Sequence, residues 1–154
     1  MARLWLFLAA LIGAAAIVAG AMTATGSTRS HNFDDQLIAK GLDEATVAHR
    51  IEQAKTAVSY HLTHALAMFG AGLLAWSSRS FFAHLSAFAF LVGILLFSGS
   101  LYAIVFFEQT QATTIVPFGG VTLIVAWLLL ALGSLLAGHR YVLEPPRTTM
   151  DDRK

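Results

Sequence analysis

Four charge-free stretches, Leu4 to Thr25, Ala57 to Trp76, Phe81 to Phe107 and Ile115 to Ala137, divide this chain, and all 10 basic and 9 acidic residues fall outside them. A bilayer core of about 30 Å is crossed by roughly 20 apolar residues in a helix, and each stretch is long enough to do so. Hydrocarbon offers no partner for a backbone amide. Such segments therefore pair their N–H and C=O groups internally, as helices, even where β-branched and aromatic residues are common. The sequence predicts an all-α, polytopic membrane protein with four transmembrane helices in a compact bundle, a polar connector at 26–56 and a cytoplasmic tail at 138–154. With 154 residues, 56% of them hydrophobic, the chain has room for one integral membrane domain and no separate soluble one.

The formal net charge of +1 comes from dispersed basic residues, which argues against nucleic acid as a partner. With no cysteine, the chain has no disulfide, thiolate zinc site, iron–sulfur cluster or cysteine nucleophile. Arg3, the apolar run behind it and Ala19-Gly20-Ala21 also fit a secretory signal with a small-residue cleavage site, which would leave three spans. The run continues past that site, however, and carries Ala9, Gly13, Ala16 and Gly20 at helix-packing spacing, so a retained span is the expectation.

Four spans put the amino end, the second connector and the tail on one side, with Arg3, Arg79, Arg140, Arg147, Arg153 and Lys154. The other side holds Arg29, Lys40, Arg50 and Lys55. Positive-inside reasoning places both termini in the cytoplasm of a bacterial inner membrane, and Trp5, Trp76 and Tyr141 then fall at the inner interface as an aromatic belt. The long connector opens as a loop at Gly26-Ser27-Thr28. From Asp43, placed as a cap, a run of helix formers continues without Gly or Pro to Gly70, so the second span is the membrane portion of a longer helix whose first turns project outside or lie on the surface after a bend.

The residues able to carry chemistry are few. His61 and His64 stand one turn apart near the outer end of the second span, a spacing that can converge on a metal or share a proton. Further ligands among His31, His49, Glu52, Asp34, Asp35 and Glu108 have no recognisable spacing, and His84 and His139 belong to the inner side. No metal site, cofactor or catalytic residue is assigned, and the plainer reading of the pair is neutral and hydrogen-bonded. Ser98, Gly99, Ser100 and Tyr102 in the third span, and Pro117, Gly119 and Gly120 entering the fourth, read first as packing positions. The alternative is a narrow polar path through Ser98, Ser100, Tyr102 and Thr122, with the glycines permitting a kink.

Tyr60-xxx-His64-Ala65-Leu66, Leu96-Phe97-Ser98-Gly99-Ser100-Leu101-Tyr102, and Pro117-Phe118-Gly119-Gly120 followed by Trp127, resemble in matching order the YgdD-like family of small bacterial inner-membrane proteins. That family is domain of unknown function 423, with a similar eukaryotic group known as transmembrane protein 256. The resemblance implies four spans and no known activity. Three departures make it look like a divergent member: Thr25 occupies the place of an expected histidine at the end of the first helix, the first connector is long and polar, and Ala126 stands where a glycine before the tryptophan is usual.

The sequence thus favours a non-enzymatic accessory or structural membrane protein, in contact with membrane lipids and able to meet a second copy or a membrane-protein partner. A small-solute transporter or channel subunit, acting as an oligomer, is the alternative. A histidine-based metal or redox protein is the third reading.

Overall fold

The computed structural model describes residues 1–24, 33–78 and 80–137. Thr25, Arg29, His31, Arg79 and the segment 138–154 with His139 and Tyr141, all invoked above, lie outside the described residues. In chain order the elements are α1 (Ala2–Met22), α2 (Phe33–Ala39), α3 (Glu44–Ser78), α4 (Phe81–Phe107), a 3-10 turn (Thr110–Thr114) and α5 (Val116–Leu136).

α3 starts where its cap permits. The carboxylate of Asp43 accepts the Thr46 backbone N–H at 3.0 Å and the Thr46 hydroxyl at 2.6 Å, satisfying one of the free donors of the first turn. The side-chain and then the backbone hydrogen bond from Thr46 favour the charged form and hold the Asp43 carboxyl below its ordinary value. From there the helix runs 35 residues, about 52 Å at roughly 1.5 Å per residue, so it exceeds a bilayer core by several turns.

The extra length is braced from two directions. α2 buries Phe33 and Leu37 against Val47, Ala54 and Val105, with the Phe33 ring edge-on to Phe106 at 6.0 Å. The Arg50 guanidinium donates to the Ile104 carbonyl at 2.7 Å, placing a cation beside the C-terminal end of α4, where the helix dipole is negative. α4 closes on Glu108 in the left-handed region, φ 59°, and Glu108 pairs with Lys40 of the connector at 3.0 Å. Glu108 is thus an exposed, paired acid.

The long helices pack in sequence, α1 on α3, α3 on α4 and α4 on α5. Small residues set the α1–α3 seam in an antiparallel register. A side chain on Gly72 would meet Leu6 and Trp5, one on Gly13 would touch Ala65, and one on Gly20 would meet Val58 at 3.3 Å. Ala9 and Ala16, from the same small-residue row, are buried. Along α4–α5, Gly93 faces Leu123, Gly119 faces Phe97, Gly133 faces Ala83, and the buried Ser86 hydroxyl donates to the Ala126 carbonyl at 2.9 Å. One core cluster joins Ala9, Met68, Phe90 and Leu123, and so draws on all four long helices.

Among the described residues, three helices and not four are long and apolar enough to cross a membrane: Ala2–Met22, Phe81–Phe107 and the stretch Thr110–Leu136. The fourth expected span, 57–76, lies inside α3, and its composition is the reason it stands apart. It carries Ser59, Tyr60, His61, Thr63 and His64 with two glycines. Much of it is screened from the surroundings by α1 and α4, and it buries His61, His64, Ala65, Ala67, Met68, Ala71, Gly72 and Ala75. A screened helix has no need of the uniform apolarity that lipid demands of α1 and α5.

Candidate functional site

His61 and His64 share one face of α3 yet have separate partners. His64 Nδ1 lies 2.7 Å from the Tyr60 carbonyl one turn back, and a carbonyl only accepts, so this nitrogen carries the proton. The ring sits in an aromatic cage, stacked on Tyr60 at 5.4 Å, with Phe90 at 5.9 Å and Trp127 at 6.3 Å. His61 turns toward α4 instead, its Nδ1 3.3 Å from the Tyr102 hydroxyl. Among the described residues no group of three His, Cys, Asp or Glu side chains converges as a metal would require.

Depth is the main departure from the sequence reading. Ala65, next to His64, lies against Gly13, which sits midway along α1, and the cavity beside His61 is lined by Ile12 and Ala15 of that helix. The two histidines therefore stand level with the middle part of α1 rather than with its end. The sequence placed them by distance from the charged connector, whereas α3 passes α1 with several turns to spare.

Ser98, Gly99 and Tyr102 meet His61 at a cavity of about 230 Å³, which Ile12, Ala15, Leu91, Ile94 and Leu95 complete. The Ser98 hydroxyl is buried without a hydrogen-bond partner. The other candidate positions do not line this cavity. Ser100 is buried in α4. Pro117 occupies the first turn of α5, where its missing N–H costs little. α5 continues unbroken through Gly119 and Gly120. Thr122 is on the exposed side of α5, its hydroxyl donating to the Phe118 carbonyl at 2.8 Å, so it does not join Ser98 and Tyr102 in a polar path.

Glycine roles are redistributed as well. Gly119 is a close-approach position, because an added Cβ would fall 2.7 Å from Phe97 Cα, while at Gly99 it would meet nothing within 4 Å. Sequence reasoning gave no role to Ile12, Ala15 or Phe90, since an apolar residue in an apolar span carries no signal of its own. It also left unpaired two groups that meet at the α1–α4 end: the Trp5 indole N–H donates to His84 Nδ1 at 2.9 Å, beside Arg3 set over the Trp76 ring.

Long apolar helices packed in antiparallel seams, with the buried Thr23, His64 and Ser86 side chains bonded to backbone carbonyls, define a helical membrane protein. Residues 19–120 match the family described as Protein of unknown function (DUF423), and the chain belongs to that family. The UPF0382 membrane protein of Haemophilus influenzae is 38% identical over 96 residues, covering 62% of this chain and 77% of the relative. UPF0382 membrane protein SAB0533 of Staphylococcus aureus is 29% identical over 118 residues, covering 77% and 93% of the two chains. UPF0382 membrane protein YwdK of Bacillus subtilis is 31% identical over 98 residues, covering 63% and 80%. No solved structure matches the chain.

Proposed function

We propose that this protein is a non-enzymatic accessory or structural component of the bacterial inner membrane, crossing it four times with both termini in the cytoplasm. The observation that carries the reading is how the polar side chains within the helices are used. Ser86 joins α4 to α5, Trp5 joins α1 to α4, and His64, Thr122 and Ser134 bond back to their own helices. Polar groups that brace helices leave few free for turnover or for lining a conduit. The fourth crossing is supplied by the 57–76 part of α3, held between α1 and α4. Its support is the antiparallel α1–α3 seam, which brings Arg3 and Trp5 to the same end as Trp76.

Since the chain has no cysteine, single-cysteine variants report topology cleanly. Lys40→Cys and Gln111→Cys are expected to react with a membrane-impermeant maleimide on intact spheroplasts, and Ala2→Cys and Ser77→Cys only after permeabilisation. Labelling of Ser77→Cys together with Lys40→Cys from outside would mean that α3 does not cross. For the role itself, proteoliposomes are expected to leak potassium and glycerol no faster than protein-free vesicles. A faster leak that Ser98→Val abolishes would replace the accessory reading with an oligomeric conduit.

A further inference from the structure

The end of the bundle that carries Trp76 holds an open cleft of about 390 Å³, lined by Met1, Ala2, Arg3, Ala75, Trp76 and His84. Its polar side chains are donors. The Trp5 indole N–H donates to His84 Nδ1 at 2.9 Å, and a ring nitrogen that accepts cannot also carry the proton, so the neutral ring bears it on Nε2. Trp5 is thus a positioning residue, leaving Nε2–H as the donor that His84 offers at the cleft. Among the described residues that N–H has no partner, and the polar side-chain atoms buried without one are only Asp34 Oδ1 and the Ser98 hydroxyl, so Nε2 of the partly exposed His84 is open to an occupant. Arg3 adds a guanidinium 5.5 Å from the centre of the Trp76 ring, with no ion pair among the described residues.

The cleft also lacks negative charge. Among the described residues the carboxylates of Asp34, Asp35, Asp43, Glu44, Glu52 and Glu108 all lie toward the opposite end of the bundle. An ammonium group would find no carboxylate here, and Arg3 already covers the Trp76 ring that could take a cation. A phosphate oxygen, by contrast, suits both donors, since a guanidinium matches its geometry and charge. Depth points the same way. Trp5 and Trp76 mark a headgroup level, where lipid phosphates stand. We propose that this cleft binds a phosphate ester lacking an ammonium group, through the Arg3 guanidinium and His84 Nε2–H. The head of an anionic phospholipid and a free phosphate ester share this chemistry. The proposal rests on the four-span reading above for the leaflet it faces, and on the cleft alone for the chemistry.

The test uses the full chain in mild detergent with isotope-labelled histidine, and follows the His84 Nε2 signal by nitrogen NMR, identified by its loss in His84→Phe. Dioleoyl phosphatidylglycerol, dioleoyl phosphatidylethanolamine, dioleoylglycerol and glycerol phosphate are added separately. Phosphatidylglycerol is expected to move the signal, phosphatidylethanolamine to do so more weakly and dioleoylglycerol not at all. Arg3→Gln, at an exposed position that leaves the fold intact, is expected to weaken the response roughly 2- to 10-fold, a charged hydrogen bond discounted for solvent. Trp5→Phe removes the indole donor and is expected to spread the proton over both ring nitrogens, a signature that a purely packing role would not give. Lys55→Gln, at the other end of the bundle, is expected to leave the response unchanged and so controls for general attraction of anions.

A stronger response to phosphatidylglycerol than to glycerol phosphate assigns the source as lipid, and an equal or stronger response to glycerol phosphate assigns a soluble ester. Equal responses to phosphatidylglycerol and phosphatidylethanolamine would overturn the proposal. So would an Arg3→Gln variant that responds like wild type, a proton found on His84 Nδ1 in the wild-type chain, or a signal that no probe moves. Maleimide labelling of Ser77→Cys reads topology separately, so failure of the site is distinguishable from failure of the four-span reading.

Discussion

Gly119→Ala is expected to lower stability by up to about 2 kcal/mol, while the same change at its neighbour Gly120 is expected to stabilise by up to about 1 kcal/mol. At Gly119 an added Cβ would stand 2.7 Å from Phe97 Cα and 2.8 Å from the Leu96 carbonyl carbon. Backbone atoms cannot rotate aside, so α5 would have to move away from α4. That movement would loosen the rest of the seam, including the Ser86–Ala126 hydrogen bond at 2.9 Å and the contact of Gly93 with Leu123. Overpacking of this kind costs about 1–3 kcal/mol or more, against a gain of roughly 1 kcal/mol for replacing a helical glycine with alanine. At Gly120 the nearest atoms are Phe97 ring carbons at 3.9 Å, an ordinary contact, and at Gly99 there are none within 4 Å. Gly99→Ala therefore keeps the propensity gain and is expected to stabilise by up to about 1 kcal/mol. Unfolding in mixed dodecyl maltoside and dodecyl sulfate micelles reads all three. Equal shifts for Gly119→Ala and Gly120→Ala would mean that α4 and α5 do not approach through Gly119.

These glycines also mark where the sequence stopped being informative. Gly99, Gly119 and Gly120 look alike as letters in apolar runs. Successive helical residues point about 100° apart, so which of them faces a neighbour depends on the rotation of two helices about their axes. The sequence contains no record of that rotation until a partner helix is placed. The row Ala9, Gly13, Ala16 and Gly20 was legible because its spacing defines a face by itself, and that face packs on α3.

The all-helical class was legible for a stronger reason. A charge inside hydrocarbon is costly enough that its absence over about 20 residues in four places leaves little choice of fold. The number of apolar spans was less legible, since a helix packed against α1 and α4 can bury His61 and His64 on its inner face and still lie inside the bundle. α2 was missed altogether. Seven residues, Phe33–Ala39, are too few to show a period, and a helix that short is stabilised by its contacts with Val47, Ala54 and Val105 rather than by its own propensity.

At the candidate site, His61, Ser98, Gly99 and Tyr102 were readable as polar or small residues in apolar surroundings. Their convergence was not, because His61 reaches Tyr102 across 41 positions of sequence and the cavity wall includes Ile12 and Ala15 from a third helix. His64 was legible as unusual and illegible as to partner. Its nearest acceptor is a carbonyl on its own helix, and its cage is completed by Phe90 and Trp127 from two others.

The second large effect is expected from that cage. Phe90 is 0% exposed, stands edge-on to Trp127 at 5.4 Å and 86°, and lies in the core cluster with Met68, Ala71 and Leu123. In a water-soluble core, Phe→Ala costs about 3–5 kcal/mol, a sum of lost transfer free energy and the cavity left behind. The transfer part shrinks in a bilayer, because separated helices already rest against acyl chains, and what holds them together is close packing. The cavity and the lost aromatic pair remain, so Phe90→Ala is expected to cost about 2–3 kcal/mol, with Phe90→Leu recovering more than half. Phe118→Ala provides the contrast. Phe118 is 67% exposed on α5, and its truncation is expected to change stability by less than about 0.5 kcal/mol. The micelle titration compares the two directly. If Phe90→Ala and Phe118→Ala shifted unfolding equally, α3, α4 and α5 would not share the core described here, and the separate environments of His64 and His61 would lose their structural basis.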